Sequence, residues 1–207
     1  MATASGLANP PASLEGQPVD LTADEFFAMI EAGLFAPERR VLLWGGRIYE
    51  KMAKTLAHAT TSAKILRALS SHLPEDWVLW PENPIRLDAL HAPLPDIPIV
   101  RGPADRYLRD GHHPTPEEVG LLVEIAVTSL PRDLGKRAET FARALIPVYW
   151  VADAIGRKIV EHSQPRSVDE LGTYNSVRVY VVGEEIPFRL DGVELARFPV
   201  ADLFPKG

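Results

Sequence analysis

A buried strand that carries one carboxylate is the feature that most limits how this chain can fold. Residues 121–127 read LLVEIAV, and such an apolar run predicts a strand covered on both faces. Pro131 opens a helix over residues 132–145, where apolar side chains recur at helical spacing. The stretch IPVYWVAD then predicts a second buried strand. Two buried strands separated by a helix indicate a central sheet with helices packed against it.

Glu124 lies in the middle of the first strand and needs a compensating partner, because an unpaired charge among apolar neighbours is costly. Pro95-Asp96 begins another strand-like run, so the two acids can lie on adjacent strands. Hard cations such as Mg²⁺ prefer oxygen ligands and keep several waters, so two carboxylates and a substrate phosphate suffice to hold one. We therefore predict that the Asp96 and Glu124 carboxylates lie within about 6 Å and share a metal ion.

The N-terminal half predicts two helices and a hairpin. Residues 1–20 are rich in Ala, Pro, Gly and Ser and are expected to form a leader. LTADEFFAMIEAG is typical of a short helix, with Thr22 as N-cap and Glu25 completing a capping box. Gly45-Gly46 between two apolar runs indicates a hairpin, and residues 57–73 predict a second helix.

The remaining segments predict further strands. Two stretches interrupted by proline, DWVLWPENPIRLD and LPDIPIVRG, are expected at sheet edges or strand starts. GRKIVEH, SVRVYVVG and VELARFPV alternate as antiparallel strands do. The predicted fold is α/β (α+β), with a central mixed β-sheet flanked by helices and extra C-terminal antiparallel strands, in one domain over residues 21–207.

Composition narrows the class of protein. The 207 residues are 46% hydrophobic and 24% charged and contain no cysteine, which excludes disulfides and thiolate metal sites and favours a cytoplasmic protein. No membrane span or secretion signal is visible in the sequence. The net charge of -6 argues against a protein that coats nucleic acid, but it leaves room for a local basic groove.

Several motifs, in this order along the chain, resemble one family. They are GGRIYEKM, His58 before the second helix, WPENPIRL, LPDIPIVRGP, LLVEIAVTSLPRDLGKR and ALIPVYWVAD. Together they resemble the Uma-type family of restriction-endonuclease-like proteins, in the PD-(D/E)XK nuclease superfamily. The resemblance implies a restriction-endonuclease-like fold and an enzyme that hydrolyses DNA phosphodiester bonds with Mg²⁺ or Mn²⁺. It also implies metal ligation by Asp96 and Glu124.

The chain departs from the superfamily signature at its lysine. The signature has lysine two residues after the acid, and this chain has Ala126 there. In the family a lysine on the following helix, four residues after an aspartate, takes over; counting from Asp133 leads to Arg137, with Lys136 one residue early. On a continuous helix Arg137 lies roughly 85° from the centre of the apolar stripe, while Lys136 points away from it. Arginine stays protonated, so it can clamp a phosphate but cannot deprotonate water.

Other candidates and alternatives stay open. His58 is a further catalytic candidate, and Glu50 in the first hairpin is a candidate third acid. Structural interpretations are favoured for the remaining polar residues: Glu82 as a turn residue, His112 and His113 as solvated, and Tyr149 in the core. For the basic side chains of the helix over 132–145, a solvated face and a functional role are equally open. A homodimer is expected, since two symmetric sites cleave a duplex most simply. The rival functions are a non-catalytic nucleic-acid-binding or protein-interaction module, and a phosphoesterase acting on RNA or a small substrate.

Overall fold

A six-stranded mixed sheet forms the centre of the fold in a computed structural model that describes residues 17–169 and 171–206. The strands are β1 (Val41–Trp44), β2 (Arg47–Glu50), β3 (Trp77–Leu79), β4 (Ile97–Arg101), β5 (Val119–Ala126), β6 (Val148–Asp153), β7 (Lys158–Val168), β8 (Leu171–Val181), β9 (Glu185–Leu190) and β10 (Val193–Pro199). The central sheet has the order β3-β4-β5-β6-β7-β8. Only β5 and β6 pair in parallel among these neighbours; the other pairs are antiparallel. The mixed-sheet prediction is confirmed.

The helices are α1 (Ala23–Glu31), α2 (Leu56–Ser70), α3 (Asp105–Asp110), α4 (Leu130–Arg132) and α5 (Ala138–Arg143). α1 has the predicted capping box, with both the Thr22 and the Glu25 side chains in place. α2 begins after its N-cap Thr55 and ends three residues before the predicted Leu73. Short 3-10 turns lie at Pro116–Glu118 and Val200–Leu203.

The crossover between β5 and β6 is not the single helix that the periodicity predicts. A π-helical segment, Asp133–Arg137, lies between α4 and α5, and within it Gly135 has φ -100° and ψ -107°, outside the helical region. Glycine reaches this conformation because it has no Cβ. Periodicity missed the break because the apolar side chains on both sides of Gly135 still face the sheet. The prediction of a continuous helix over 132–145 is therefore wrong.

Each face of the sheet packs against its own layer. On β5, Leu121, Val123 and Ile125 face a core covered by α2 and the β9–β10 hairpin. Leu122 and Ala126 face a second core covered by α3 and α5. Alternation along the strand puts Glu124 on this second face, under the crossover segment.

The first hairpin forms as predicted, with β1 and β2 paired antiparallel. Gly45 and Gly46 form its turn at φ 56° and 70°, and a two-residue turn of this kind requires positive φ at both positions. β1 packs with α1 in a separate small core. The hairpin also joins the rest of the molecule through the Leu43–Ala92 bridge, which holds it near the start of β4.

Proline is expected at sheet edges or strand starts, and Pro98 is the second residue of an internal strand. β3 is the edge strand, but β4, with Pro98 inside it, lies between β3 and β5. Pro98 pairs with Leu122 on the β5 side, and its carbonyl accepts the N–H of Trp80, one residue beyond the end of β3. The N–H that proline lacks therefore falls where β3 has already ended, so no ladder bond is lost.

The two ends of the chain differ in their secondary structure within the described residues. β7 and β8 extend the central sheet, and β9 and β10 form a two-stranded sheet of their own, as the alternation of the C-terminal part predicts. Of the predicted leader, residues 1–16 lie outside the described residues, and residues 17–20 are exposed and have no regular secondary structure. None of the helices described is both long enough and apolar enough to cross a bilayer.

Candidate functional site

Asp96 and Glu124 stand opposite each other across β4 and β5. The register pairs Ile97 with Val123, and one step further it sets Asp96, which directly precedes β4, against Glu124. Asp96 Oδ2 accepts the backbone N–H of Ile125 at 2.8 Å, which fixes the carboxylate against β5. The two acids picked out in the sequence therefore meet on one face of the sheet, as residues directly opposed on antiparallel strands do.

Glu124 is buried, with 3% of its surface exposed, and it is paired with Arg137. Arg137 Nη1 donates to Glu124 Oε1, and Arg137 Nε lies 3.7 Å from Asp133 Oδ1. Burial raises the pKa of Glu124 to about 7, although the charges of Arg137 and Lys51 act in the opposite direction. Burial also disfavours the charged form of Arg137, but Glu124 and Asp133 outweigh this and raise its pKa.

Lys51 is the site residue that the sequence analysis missed. It follows β2 directly, and its Nζ donates to Asp96 Oδ1 at 2.6 Å and to the carbonyl of Leu94 at 2.8 Å. The same Nζ lies 3.8 Å from Glu124 Oε2, so one ammonium pairs with both acids. Periodicity could not reveal this, because all of β2 is exposed. The available signal was the position of Lys51 within GGRIYEKM, one of the motifs of the family resemblance.

His58, in the first turn of α2, completes the contacts of Asp96. Its Nε2 lies 3.0 Å from Asp96 Oδ2, and its Nδ1 is buried without a hydrogen-bond partner among the described residues. Burial alone would raise the pKa of Asp96, but the hydrogen bonds from His58 and Lys51 and their charges hold it well below the usual range. Asp96 is therefore an anion in the folded protein at neutral pH.

The break at Gly135 sets the direction of the cationic side chains on the crossover. Arg137 is buried beneath the segment, where its guanidinium also lies 5.8 Å from the centre of the Trp44 ring. Tyr149, on β6, donates its hydroxyl to the carbonyl of Asp133 at 3.2 Å and so supports the segment from below. Lys136 is exposed, but it lines the cavity above the acids. Its exposed position agrees with the prediction that Lys136 points away from the apolar stripe, and the cavity extends far enough to include it.

The acids form part of the wall of a cavity of about 770 Å³ between the first hairpin, the N-terminal end of α2 and the crossover. All five predicted site residues line it, together with Lys51: Asp96, Glu124, Arg137, Lys136 and His58. Lys54 and Arg132 add further cations, and Trp44, Tyr49 and Met52 add apolar and aromatic surface. The cavity thus combines a buried acid pair with cationic side chains, an arrangement suited to a phosphoester.

The other polar candidates take structural positions. Glu50 lines the cavity but pairs with Arg39 at 2.9 Å. Glu82 has φ 57°, as a turn residue does, and pairs with Lys54 at 2.7 Å. The ring of His113 stacks on that of Phe27, with 3.8 Å between centroids. Tyr149 is fully buried in the core, as the sequence suggested.

The donor set fits a hard divalent cation. Asp96 Oδ2 and Glu124 Oε1 are bonded to the surrounding protein, whereas Asp96 Oδ1 and Glu124 Oε2 both face Lys51. No cluster of three or more His, Cys, Asp or Glu side chains suited to a metal occurs within residues 17–169 and 171–206. An ion here would rest on two carboxylates and complete its shell with water, which is the usual behaviour of Mg²⁺.

Comparisons with known proteins give a family and a fold. A family model described as "Uma2: Putative restriction endonuclease" matches residues 23–196. No curated protein matches the chain. Among solved structures, the chain is similar to one described as "a putative nuclease belonging to DUF820 from Anabaena variabilis ATCC 29413", with a TM-score of 0.61 and 14% sequence identity. That similarity covers 88% of this chain and 97% of the other, and at this identity it shows a shared fold.

Proposed function

The chain belongs to the Uma2 family, and from this premise we propose that it is a metal-dependent endonuclease that hydrolyses phosphodiester bonds of DNA. One observation carries the proposal: two carboxylates opposed on neighbouring strands meet beneath a cavity whose wall also carries several cationic side chains, beside apolar and aromatic ones. Phosphodiester hydrolysis needs a positioned water and positive charge around the phosphorus, and this arrangement supports both.

Asp96 and Glu124 would hold Mg²⁺ or Mn²⁺, and each has one carboxylate oxygen that faces Lys51. When bound, the ion lowers the pKa of a coordinated water and stabilises negative charge on the phosphate. His58 fixes the orientation of Asp96, and Arg137 does the same for Glu124 while adding positive charge nearby. Lys136 and Arg132, at the cavity wall, would contact the phosphates of a bound strand.

A cleavage assay on supercoiled plasmid DNA with Mg²⁺ or Mn²⁺ tests the proposal. Asp96→Asn should remove cleavage, because it takes a charge from the metal-binding pair. Asp88→Asn is the matched control, since Asp88 pairs with His91 and Arg143 outside this cavity. Equal cleavage by the parent and Asp96→Asn, or no cleavage by the parent with any divalent ion, would reject the assignment.

A second candidate function is a nucleic-acid-binding module without catalysis. The observation that favours it is that Lys51, Arg137 and His58 already compensate the two acids. Such a module would bind a fluorescently labelled DNA oligonucleotide and leave it intact. Its affinity, measured by fluorescence anisotropy, would not depend on divalent ions. An RNA oligonucleotide of the same sequence, in the same assay, distinguishes RNA from DNA as the ligand.

A two-fold dimer is also part of the proposal, and the outer edge of β8 is the surface we assign to it. β8 is an edge strand of the central sheet, and within the described residues nothing pairs with its outer side. Val177, Val179 and Val181 are exposed along it, and Arg178 is the one charged residue in the strand. Such an edge favours pairing with an identical strand. Light scattering should give the mass of two chains, and Val179→Lys should give the mass of one.

A further inference from the structure

Lys51 holds the position between the two site carboxylates that a divalent cation would need. Each acid uses one oxygen to bond the surrounding protein: Asp96 Oδ2 to Ile125 and His58, and Glu124 Oε1 to Arg137. The second oxygen of each acid faces the Lys51 ammonium, at 2.6 Å from Asp96 Oδ1 and 3.8 Å from Glu124 Oε2. The ammonium and a metal ion would therefore contact the same two oxygens.

The charges of the buried cluster around Lys51 limit how a divalent ion can bind. They sum to zero with one divalent ion only if the Lys51 ammonium leaves. The buried cluster contains three acidic side chains, Asp96, Glu124 and Asp133, and two basic ones, Lys51 and Arg137. A divalent ion added beside Lys51 would leave this group with excess positive charge at short range. Replacing Lys51 with the ion leaves it balanced, because the ion and Arg137 together match the three carboxylates.

Lys51 can leave, whereas Arg137 is held. The Lys51 side chain is 14% exposed, lines the cavity and ends a flexible four-carbon stem. Its release costs the hydrogen bond to the Leu94 carbonyl and the contact with Asp96. The Arg137 side chain is 8% exposed and contacts two carboxylates from beneath the crossover. Of the two cations, Lys51 is the one that can be exchanged.

We infer that Lys51 is an internal counter-cation that a divalent metal ion displaces from between Asp96 and Glu124, so that Lys51 sets the metal affinity of the site. The inference rests on the proposed function, since it concerns the same acids. Displacement places the ammonium in the cavity, where it adds to the positive charge available to a bound phosphate. Metal binding thereby supplies the site with a free lysine that neither Ala126 nor Arg137 provides.

Calorimetric titration of Mn²⁺ into the full chain, without DNA, tests the inference. Lys51→Met keeps the length of the side chain and removes its charge, so it should bind Mn²⁺ at least tenfold more tightly than the parent. Lys51→Arg keeps the charge and should bind no more tightly than the parent. The matched control is Lys54→Met, which removes a lysine from the same cavity wall that pairs with Glu82 rather than with the site acids. It should stay within about twofold of the parent, because its charge is already paired.

The outcomes separate this inference from the proposed function. If the parent binds Mn²⁺ and Lys51→Met binds it equally or less tightly, Lys51 does not compete and the inference is overturned, while the nuclease proposal stands. If only Lys51→Met binds, the competition is supported and the parent is not a metal-dependent enzyme. If neither binds, both are rejected. Thermal unfolding of each variant identifies loss of fold; should Lys51→Met unfold, Lys51→Gln takes its place under the same criteria.

Discussion

Two glutamates of the central sheet are buried almost equally but have different partners. Glu124 on β5 is 3% exposed, and Glu161 on β7 is 8% exposed. Glu124 meets Arg137 and Lys51 and lines the cavity. Glu161 accepts a hydrogen bond from Trp150 Nε1 at 3.0 Å and packs on the opposite face of the sheet. Burial raises the pKa of both carboxyl groups, against their hydrogen bonds and neighbouring charges.

This difference shows that burial of an acid does not by itself mark a functional site. Trp150 donates a hydrogen bond to Glu161, as buried polar groups generally require, and the charges of Arg189 and Arg178 also favour its ionised form. Glu124 instead belongs to a cluster of charges that opens on a cavity, and its free oxygen faces an exchangeable cation. A carboxylate can bind a metal ion or substrate only if it is reachable from a cavity and if the partner it already has can be displaced. Of the two glutamates, only Glu124 meets both conditions.

The largest expected difference between the two glutamates is in cleavage. Glu124→Gln should reduce metal-dependent cleavage of plasmid DNA by at least about a thousandfold, because it removes a charged metal ligand. Glu161→Gln should stay within about threefold of the parent, because amide and carboxylate have nearly the same shape and Glu161 lies away from the cavity. Initial cleavage rates at saturating Mn²⁺ measure both. Comparable losses in the two variants would mean that the sheet, rather than the site, is being disturbed.

The second difference is in stability. Arg137→Met leaves Glu124 buried without its closest cation and should lower the free energy of unfolding by about 3 kcal/mol. Arg189→Met is the control: it breaks a half-exposed pair with Glu194 and should cost less than about 1 kcal/mol. Urea unfolding at pH 7 in the presence of EDTA gives both values. A small loss for Arg137→Met would show that Lys51 alone compensates Glu124.

The sequence predicted those parts of the fold that depend on local signals. The capping box of α1, the double-glycine turn and the alternating C-terminal strands require only neighbouring residues, and all were confirmed. The break at Gly135 and the internal position of Pro98 could not be predicted in this way. Each depends on a segment that is distant in sequence. Pro98 is tolerated because β3 ends beside it, and the break at Gly135 lies where the crossover passes over the face of the sheet.

The candidate site shows the same limit. Asp96 and Glu124 were found because an acid in an apolar strand is conspicuous in the sequence. Lys51 was missed because it follows an exposed strand, and only the tertiary placement of the hairpin brings its ammonium to Asp96. The sequence predicts a metal ion as the compensating partner of Glu124, whereas the folded chain itself provides two cations.

A smaller effect is expected at the partner of Glu161. Trp150→Phe removes the indole N–H that donates to Glu161 and leaves a small void in the core, which should cost about 2 kcal/mol of stability. Cleavage should change little, because Trp150 faces the core on the side of the sheet away from the cavity. Thermal unfolding and cleavage rate measured on the same preparation separate the two effects. A large loss of cleavage with the fold intact would couple the two faces of the sheet.

The smallest expected effect is in the pH dependence of stability. Burial raises the pKa of Glu161 from 4.5 in spite of its hydrogen bond from Trp150, so its contribution to stability is fully present below pH 4.5 and is lost as pH rises through the folded value. Glu161→Gln lacks this loss, so its unfolding free energy should improve relative to the parent as pH rises from 4.5 to 7. Hydrogen bonds from Thr22 lower the pKa of Glu25, so its contribution to stability is lost only as pH falls below 4.5. Glu25→Gln should therefore differ from the parent by a nearly constant amount between about pH 6 and 7. Parallel urea titrations of the three proteins isolate Glu161, because the titration of Glu124 is common to all of them.

A slope of the opposite sign for Glu161→Gln would mean that Trp150 outweighs burial, and that the two glutamates differ in protonation as well as in their partners.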